Sequence, residues 1–444
     1  MASRGTPERR KTRSAVERRD LTAAPADSGA EYKLFLDVDG ALACVLWQRA
    51  RDVRLWARFR PDVPHGLFRD LSGVYLDLQI QAFADAPEIR RPLTVLRRLV
   101  RYPNGADSGA IAKACIAISD WADERNRCEL ALIFAEAAAA AQPESAEAAA
   151  IAGLRCLRTT CEPGAPPVEQ RALQWLRRSV RLAARNGDTE WYIRAHIRYG
   201  LLLYRQGRYA RARRIYKRAA WKADWAGRDE LAAKAHHDLV AIESHVGTYT
   251  AAEYHTLKAL ELYSLRHERI QYLIHDYAFA LMRHSYYSPS LQLLDAVWEF
   301  VPPDNRLNIN STIARVAAGL HLRERFENHA SQVVLLAEIC ADGATWAFGH
   351  LAIGAVCFEE WDRAEAYAGR ALELAISRQE TDAIRNAYAV LDQIIAREKA
   401  PRPSSTPESV RRSVALCLDR LARLREPADE AVPSSQVITT AWAP

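Results

Sequence analysis

Reactive pairings are what this sequence most conspicuously lacks. Its eight cysteines, Cys44, Cys115, Cys128, Cys156, Cys161, Cys340, Cys357 and Cys417, form no CxxC pair. No His/Cys group has metal-ligand spacing, so the thiols read as small buried hydrophobes rather than zinc ligands or a disulfide framework. No P-loop, HExxH or nucleophile elbow occurs. Adjacent His236 and His237 point about 100° apart on a helix, so they do not chelate as an i, i+4 pair would. No apolar run approaches the ~20 residues of a membrane helix. The N-terminus MASRGTPERRKTRSAVERRD has no apolar core behind its charges, unlike an export signal. These absences predict a cytoplasmic protein that binds no cofactor or metal, does not span a membrane and is not an enzyme. Helix breakers are scarce too, with 19 Gly and 20 Pro in 444 residues. Ala, Leu, Arg and Glu dominate, which favours helices over sheet.

What is present is most legible between Glu190 and Trp221, EWYIRAHIRYGLLLYRQGRYARARRIYKRAAW. Gly200, Gly207, Tyr209, Ala212, Tyr216 and Ala219 fall where two antiparallel helices joined by a tight turn need small residues at close approach. Tyr199, Tyr209 and Tyr216 are expected to fill the seam. This pattern resembles the tetratricopeptide repeat, a helix-turn-helix unit of about 34 residues. Equivalents of Gly200 are Val240, Ala278, Ala317 and Ala352, in longer steps of 35 to 40 residues, similar to the long-period bacterial type. The resemblance implies an all-α fold, a right-handed superhelical array of antiparallel helix pairs, acting as a non-catalytic interaction scaffold or adaptor, with a regulatory role among those it implies.

Five segments are expected. Residues 1–30 are a basic, aliphatic-poor tail without enough apolar surface to order itself. Residues 31–108 are a helical region or divergent cap, and 109–398 carry the repeats. Residues 399–426 are a Pro-rich linker and a helix that caps the array's end, with Val410, Val414, Cys417, Leu418, Leu421 and Leu424 as its apolar stripe. Residues 427–444 are a second disordered tail.

In this family the first helix of each pair lines a concave face. Spacings of three and four residues then select Arg194, Ile197, Leu201, Tyr204 and Arg205 from the first pair considered. Equivalent positions give Lys234, His237 and His245, then Tyr272, His275 and Arg283. The set reads as cationic and aromatic, with no carboxylate pair between its members. Such a groove suits an extended peptide with acidic or aromatic side chains.

Two alternatives remain. Residues 171–222 hold thirteen arginines and two lysines against only Asp188 and Glu190, a field that attracts acidic partners, including nucleic acid. Arg208, Arg211, Arg213, Arg214, Lys217 and Arg218 fall on the second helix, away from the groove. More remotely, Asp37-Val38-Asp39-Gly40 looks like the first motif of haloacid-dehalogenase-type phosphatases. There one aspartate attacks phosphorus, the other is acid/base, and magnesium sits between them. The family's usual Thr after the glycine is Ala41 here. The helical pattern that follows does not continue such a fold.

Overall fold

The computed structural model describes residues 40–64, 66–68, 86–158, 168–339, 343–378 and 380–425. The Asp37/Asp39 motif, both expected tails, Cys161 and Cys340 lie outside the described residues. Among those residues the chain is entirely helical, without a strand. Two compact units divide between Asn186 and Gly187, inside the stretch read from sequence as one array. That division is locally written: Gly187 takes the left-handed conformation that ends one helix, and the Asp188 side chain accepts from Trp191 N–H at 3.0 Å to start the next.

The first unit contains α1 (Gly40–Phe59), α2 (Pro87–Arg101), α3 (Ser108–Glu124), α4 (Cys128–Ala141), α5 (Ala146–Arg158) and α6 (Val168–Asn186). α3/α4 and α5/α6 are antiparallel pairs, with α2 packed on α3 and α1 on α4. Trp56 fills the joint of α1 and donates its Nε1–H to Pro103 O at 2.8 Å. Arg155 is buried and donates to Ser119 Oγ at 3.1 Å, to Asp120 Oδ1 at 2.5 Å and, more closely, to Asp123 Oδ2. Asp123 also takes Arg158 at 2.8 Å.

The second unit continues in antiparallel pairs: α7 (Thr189–Arg205) with α8 (Tyr209–Trp225), α9 (Asp229–Val246) with α10 (Tyr249–Leu262), and α11 (Ile270–Arg283) with α12 (Tyr287–Val297). Then come α13 (Arg306–Gly319) with α14 (Arg323–Ile339), α15 (Ala344–Cys357) with α16 (Trp361–Ser377), and α17 (Thr381–Ile395). Close approach at the seams is carried by small residues. A Cβ on Gly200 would stand 2.7 Å from the Tyr216 ring, and one on Gly354 2.6 Å from the Phe326 ring. Tyr199 and Tyr216 are buried as expected. Buried serines pin other seams across both units. Ser119, Ser179 and Ser290 donate at 2.7 Å to the carbonyls of Ala131, Ala146 and Ala278 on their partner helices.

Five of the turns within pairs share one geometry, while the α9–α10 turn passes through an extended Gly247. A left-handed residue closes the first helix of a pair, at Asn126, Gly207, Ser285, His321 and Glu359. The next amide then bonds back to the helix, as Arg208 N–H does to Leu203 O at 2.9 Å and Leu322 N–H to Ala317 O at 2.9 Å. Only one of these five turns uses glycine, which is why the repeat pattern fades in sequence after the first clear copy.

The last helix departs from expectation. α18 (Glu408–Arg425) does not close the array's end. It returns to the middle and packs on α10, α11 and α12. Val410, Val414, Cys417 and Leu421 are buried there with Leu260, Tyr277 and Leu291. Arg420 donates to Leu260 O at 2.8 Å and Tyr263 O at 2.6 Å, carbonyls left over at the end of α10. Ser413 reaches Glu253 at 2.6 Å, and Ser404 N–H ties the linker to Ser285 O at 2.9 Å. The apolar stripe was readable, but it matches the open face of α10–α12 rather than that of α17.

Candidate functional site

In the second unit the first helices of successive pairs pack beside one another, so their remaining faces form one surface. The predicted residues on it do not behave alike. Ile197 and His237 are buried and offer a partner nothing. Arg205 and Arg283 are exposed, while Arg194, Leu201, Tyr204, Lys234, His245, Tyr272 and His275 are half-buried.

His245 is the hub. Its Nε2 lies 3.2 Å from Tyr204 Oη, and its ring stacks on Tyr209 at 4.4 Å and 13°. Phe279 and Trp346 approach the same ring at 6.1 and 6.0 Å. Phe279 in turn lies 5.6 Å from His350. Five helices, α7, α8, α9, α11 and α15, thus contribute to one aromatic group. Tyr209, expected in the seam, turns into this group instead and donates its hydroxyl to Asp382 at the start of α17. Burial holds His245 down to about 4, helped by the positive charge of Arg283, so the hub is neutral.

The charges also depart from the sequence reading, which placed no carboxylate pair among the cations. Arg194 pairs with Glu190 at 3.0 Å and stacks on Trp191. Lys234 has Asp238 at 3.9 Å, and burial still lowers it to about 8, with Arg269, Arg198 and Arg194 adding to the effect. His237 and His275 lie 3.2 and 3.4 Å from Asp276. Burial works to raise Asp276, and these two imidazoles overcome it, holding the carboxyl well below the usual range. Tyr272 Oη accepts from Asn305 at 3.4 Å.

Arg283 and Arg315 are different. Among the described residues neither has a carboxylate within ion-pair distance, and Arg315 Nε is buried without a hydrogen-bond partner. Burial, then repulsion from Arg283, brings Arg315 down to about 10. Beside them burial, then the charges of Arg315 and Arg283, keep His350 neutral; its Nδ1 meets Ser311 Oγ at 3.2 Å. Two cations that repel each other beside a neutral imidazole, with no carboxylate among the described residues to offset them, favour an anion there. Arg315 and His350 were not selected from sequence, yet they sit one repeat and two repeats beyond Asp276. Extending the register through α13 and α15 finds both.

Burial pushes the Cys156 and Cys417 thiols up to about 12, far from nucleophilic. Among the described residues no group of three His, Cys, Asp or Glu side chains could hold a metal. Nor is any helix there long and apolar enough to cross a membrane. As expected, His236 and His237 diverge, the first to His255 at 2.9 Å and the second to Asp276.

The chain is therefore a helical-repeat protein built from tetratricopeptide-like antiparallel pairs, with a mixed aromatic and cationic face on its first helices. No protein-family model and no curated protein matches it. Solved structures show partial similarity. One comes from a study of Pseudomonas aeruginosa PilF, at 18% identity and TM-score 0.38, covering 51% of this chain and 91% of that one. Another is the Rap conjugation gene regulator of plasmid pLS20 in complex with the Phr* peptide, at 13% identity and TM-score 0.44, covering 79% and 96%. A circular tandem repeat protein with a novel repeat topology reaches 15% identity and TM-score 0.16, covering 87% and 97%. Superpositions this loose carry no functional detail from one chain to another.

Proposed function

We propose that the second unit is a non-catalytic protein-interaction module whose first-helix face receives an extended peptide segment with acidic and aromatic side chains. The observation that carries this reading is the uncompensated pair Arg283 and Arg315. A carboxylate seated between them supplies the charge the fold omits and can pair bidentately with either guanidinium. The neighbouring Tyr204, Phe279 and Trp346 offer rigid ring surface at low entropic cost. The N-terminal part of the face, where Arg194, Lys234, His237 and His275 already have carboxylates, contributes shape rather than net charge. A preformed surface of this kind lowers the ordering cost of binding.

The test is partner capture from the native host by the full chain, its Arg283→Glu/Arg315→Glu variant and its Arg194→Glu/Arg205→Glu variant. The first variant loses the partner, while the second weakens it modestly. Equal recovery by all three proteins overturns the reading.

A further inference from the structure

The outer surface of α8 carries a second feature, independent of the first-helix face. α8 buries Ala212, Tyr216, Ala219, Ala220 and Ala223 against the array. Its opposite side exposes Arg214, Lys217, Arg218, Trp221, Asp224 and Trp225. The two tryptophans are 65% and 69% exposed, although burying a ring of that size is worth several kcal/mol. Arg213, off this line, is tied to the buried Glu243 at 2.6 Å. Among the described residues, Arg214, Lys217 and Arg218 have no carboxylate within ion-pair distance. Arg218 lies over the Tyr192 ring at 5.7 Å, and Lys222 over Trp225 at 4.1 Å.

Next to this line, α10 presents Tyr254, 53% exposed, with Lys258 beyond it paired to Glu261 at 2.8 Å. His236 joins the two helices, with Tyr254 at 6.2 Å and Asp224 at 3.7 Å. The strip thus combines three exposed rings with a row of cations.

We propose that this strip binds single-stranded nucleic acid without sequence preference. Trp221 and Trp225 are one helical turn apart, about 6 Å along the axis, so each can stack a separate, splayed base. Arg214, Lys217 and Arg218 occupy the preceding turns, where the phosphates of the same strand run. Rings for bases beside cations for phosphates is the combination that sequence-tolerant single-strand binding requires. A bilayer fits less well. A helix lying in a membrane interface inserts a continuous apolar face, whereas α8 has spent its apolar face on the array and places Asp224 between the exposed rings. Duplex DNA offers no open bases to stack on.

The experiment measures binding of the full chain to fluorescein-labelled oligodeoxythymidylate by anisotropy at several salt concentrations. The labelled duplex and anionic phosphatidylserine vesicles serve as competing ligands. The single strand binds, and three phosphate contacts give a log–log salt slope of about 2. Trp221→Ala/Trp225→Ala weakens binding roughly tenfold or more, while Trp221→Phe/Trp225→Phe retains most of it. Arg214→Glu/Lys217→Glu weakens it and flattens the slope. Every substituted side chain is exposed, so far-UV circular dichroism stays unchanged. Arg283→Glu/Arg315→Glu leaves this binding intact, so its failure and that of the peptide reading are separately visible. Absence of binding at low salt, indifference to the tryptophan pair, or tighter binding to vesicles or duplex overturns the proposal.

Discussion

Gly200 and Gly369 sit in the second unit, on α7 and α16, and the same substitution at the two is expected to act in opposite directions. At Gly369 an added Cβ meets nothing within 4 Å. Gly369→Ala therefore gains helix propensity, worth about 0.8–1 kcal/mol, and loses no packing. At Gly200 the propensity gain is the same, but the Cβ lands 2.7 Å from the Tyr216 ring. That ring is only 2% exposed and has no room to retreat. Overpacking of this kind costs about 1–3 kcal/mol, so Gly200→Ala is a net loss of up to about 2 kcal/mol. The two variants then differ by the overpacking cost, about 1–3 kcal/mol, in urea unfolding followed by far-UV circular dichroism. In a Tyr216→Ala background the clash is gone, and Gly200→Ala becomes stabilising, which is a coupling that a double-mutant cycle reads directly. If both alanines shift stability in the same direction, or if the Tyr216→Ala background leaves the Gly200 effect unchanged, the seam argument is refuted.

Two further outcomes concern buried charge. Arg155→Ala leaves Asp123 buried with only Arg158 to compensate. The first unit loses about 3–5 kcal/mol, seen as early melting of α3–α6 by hydrogen exchange. Normal protection there contradicts the assignment. His245 and His255 are held to about 4 and about 3, mainly by burial, with Arg283 and His236 respectively adding repulsion. The unfolded chain takes up these protons near pH 6.5 and the folded chain does so only far below it. The contribution is thus complete above pH 6.5 and fades as pH falls towards 4, by up to about 1.4 kcal/mol per pH unit for each group. Urea midpoints from pH 7 to pH 4.5 should fall for the parent protein and fall less for His245→Gln. A flat parent profile is the contrary result.

Most of the helices were legible because period, caps and small residues agree locally. The α7–α8 hairpin, with Gly200, Gly207 and Tyr216, announces its own geometry. Later pairs reuse that geometry with Ser285 and Glu359 in left-handed turns, where residue preference points the other way, so their signal is weak. The candidate face was half legible. Arg283 and His245 were found because they repeat at fixed spacing. Asp276 leaves no such mark, because it falls off the spacing that Tyr272, His275 and Arg283 follow. Tyr209 was misassigned because a turn residue has no fixed face: its direction is set by Asp382, 173 residues away. The destination of α18 was not legible at all, since an amphipathic stripe states that it needs a partner and not which one.

That return of α18 changes how the molecule must come into being. Stacked repeats ordinarily grow from either end, each copy leaning only on its neighbours. Here the centre of the stack waits for a segment made after every repeat, because Leu260, Tyr277 and Leu291 gain part of their apolar cover only once Leu421 has emerged. A ribosome-bound chain stopped at residue 397 holds nearly every repeat and still lacks its keystone. The final link is a slow, long-range closure, which ties the middle copies into a single all-or-none transition.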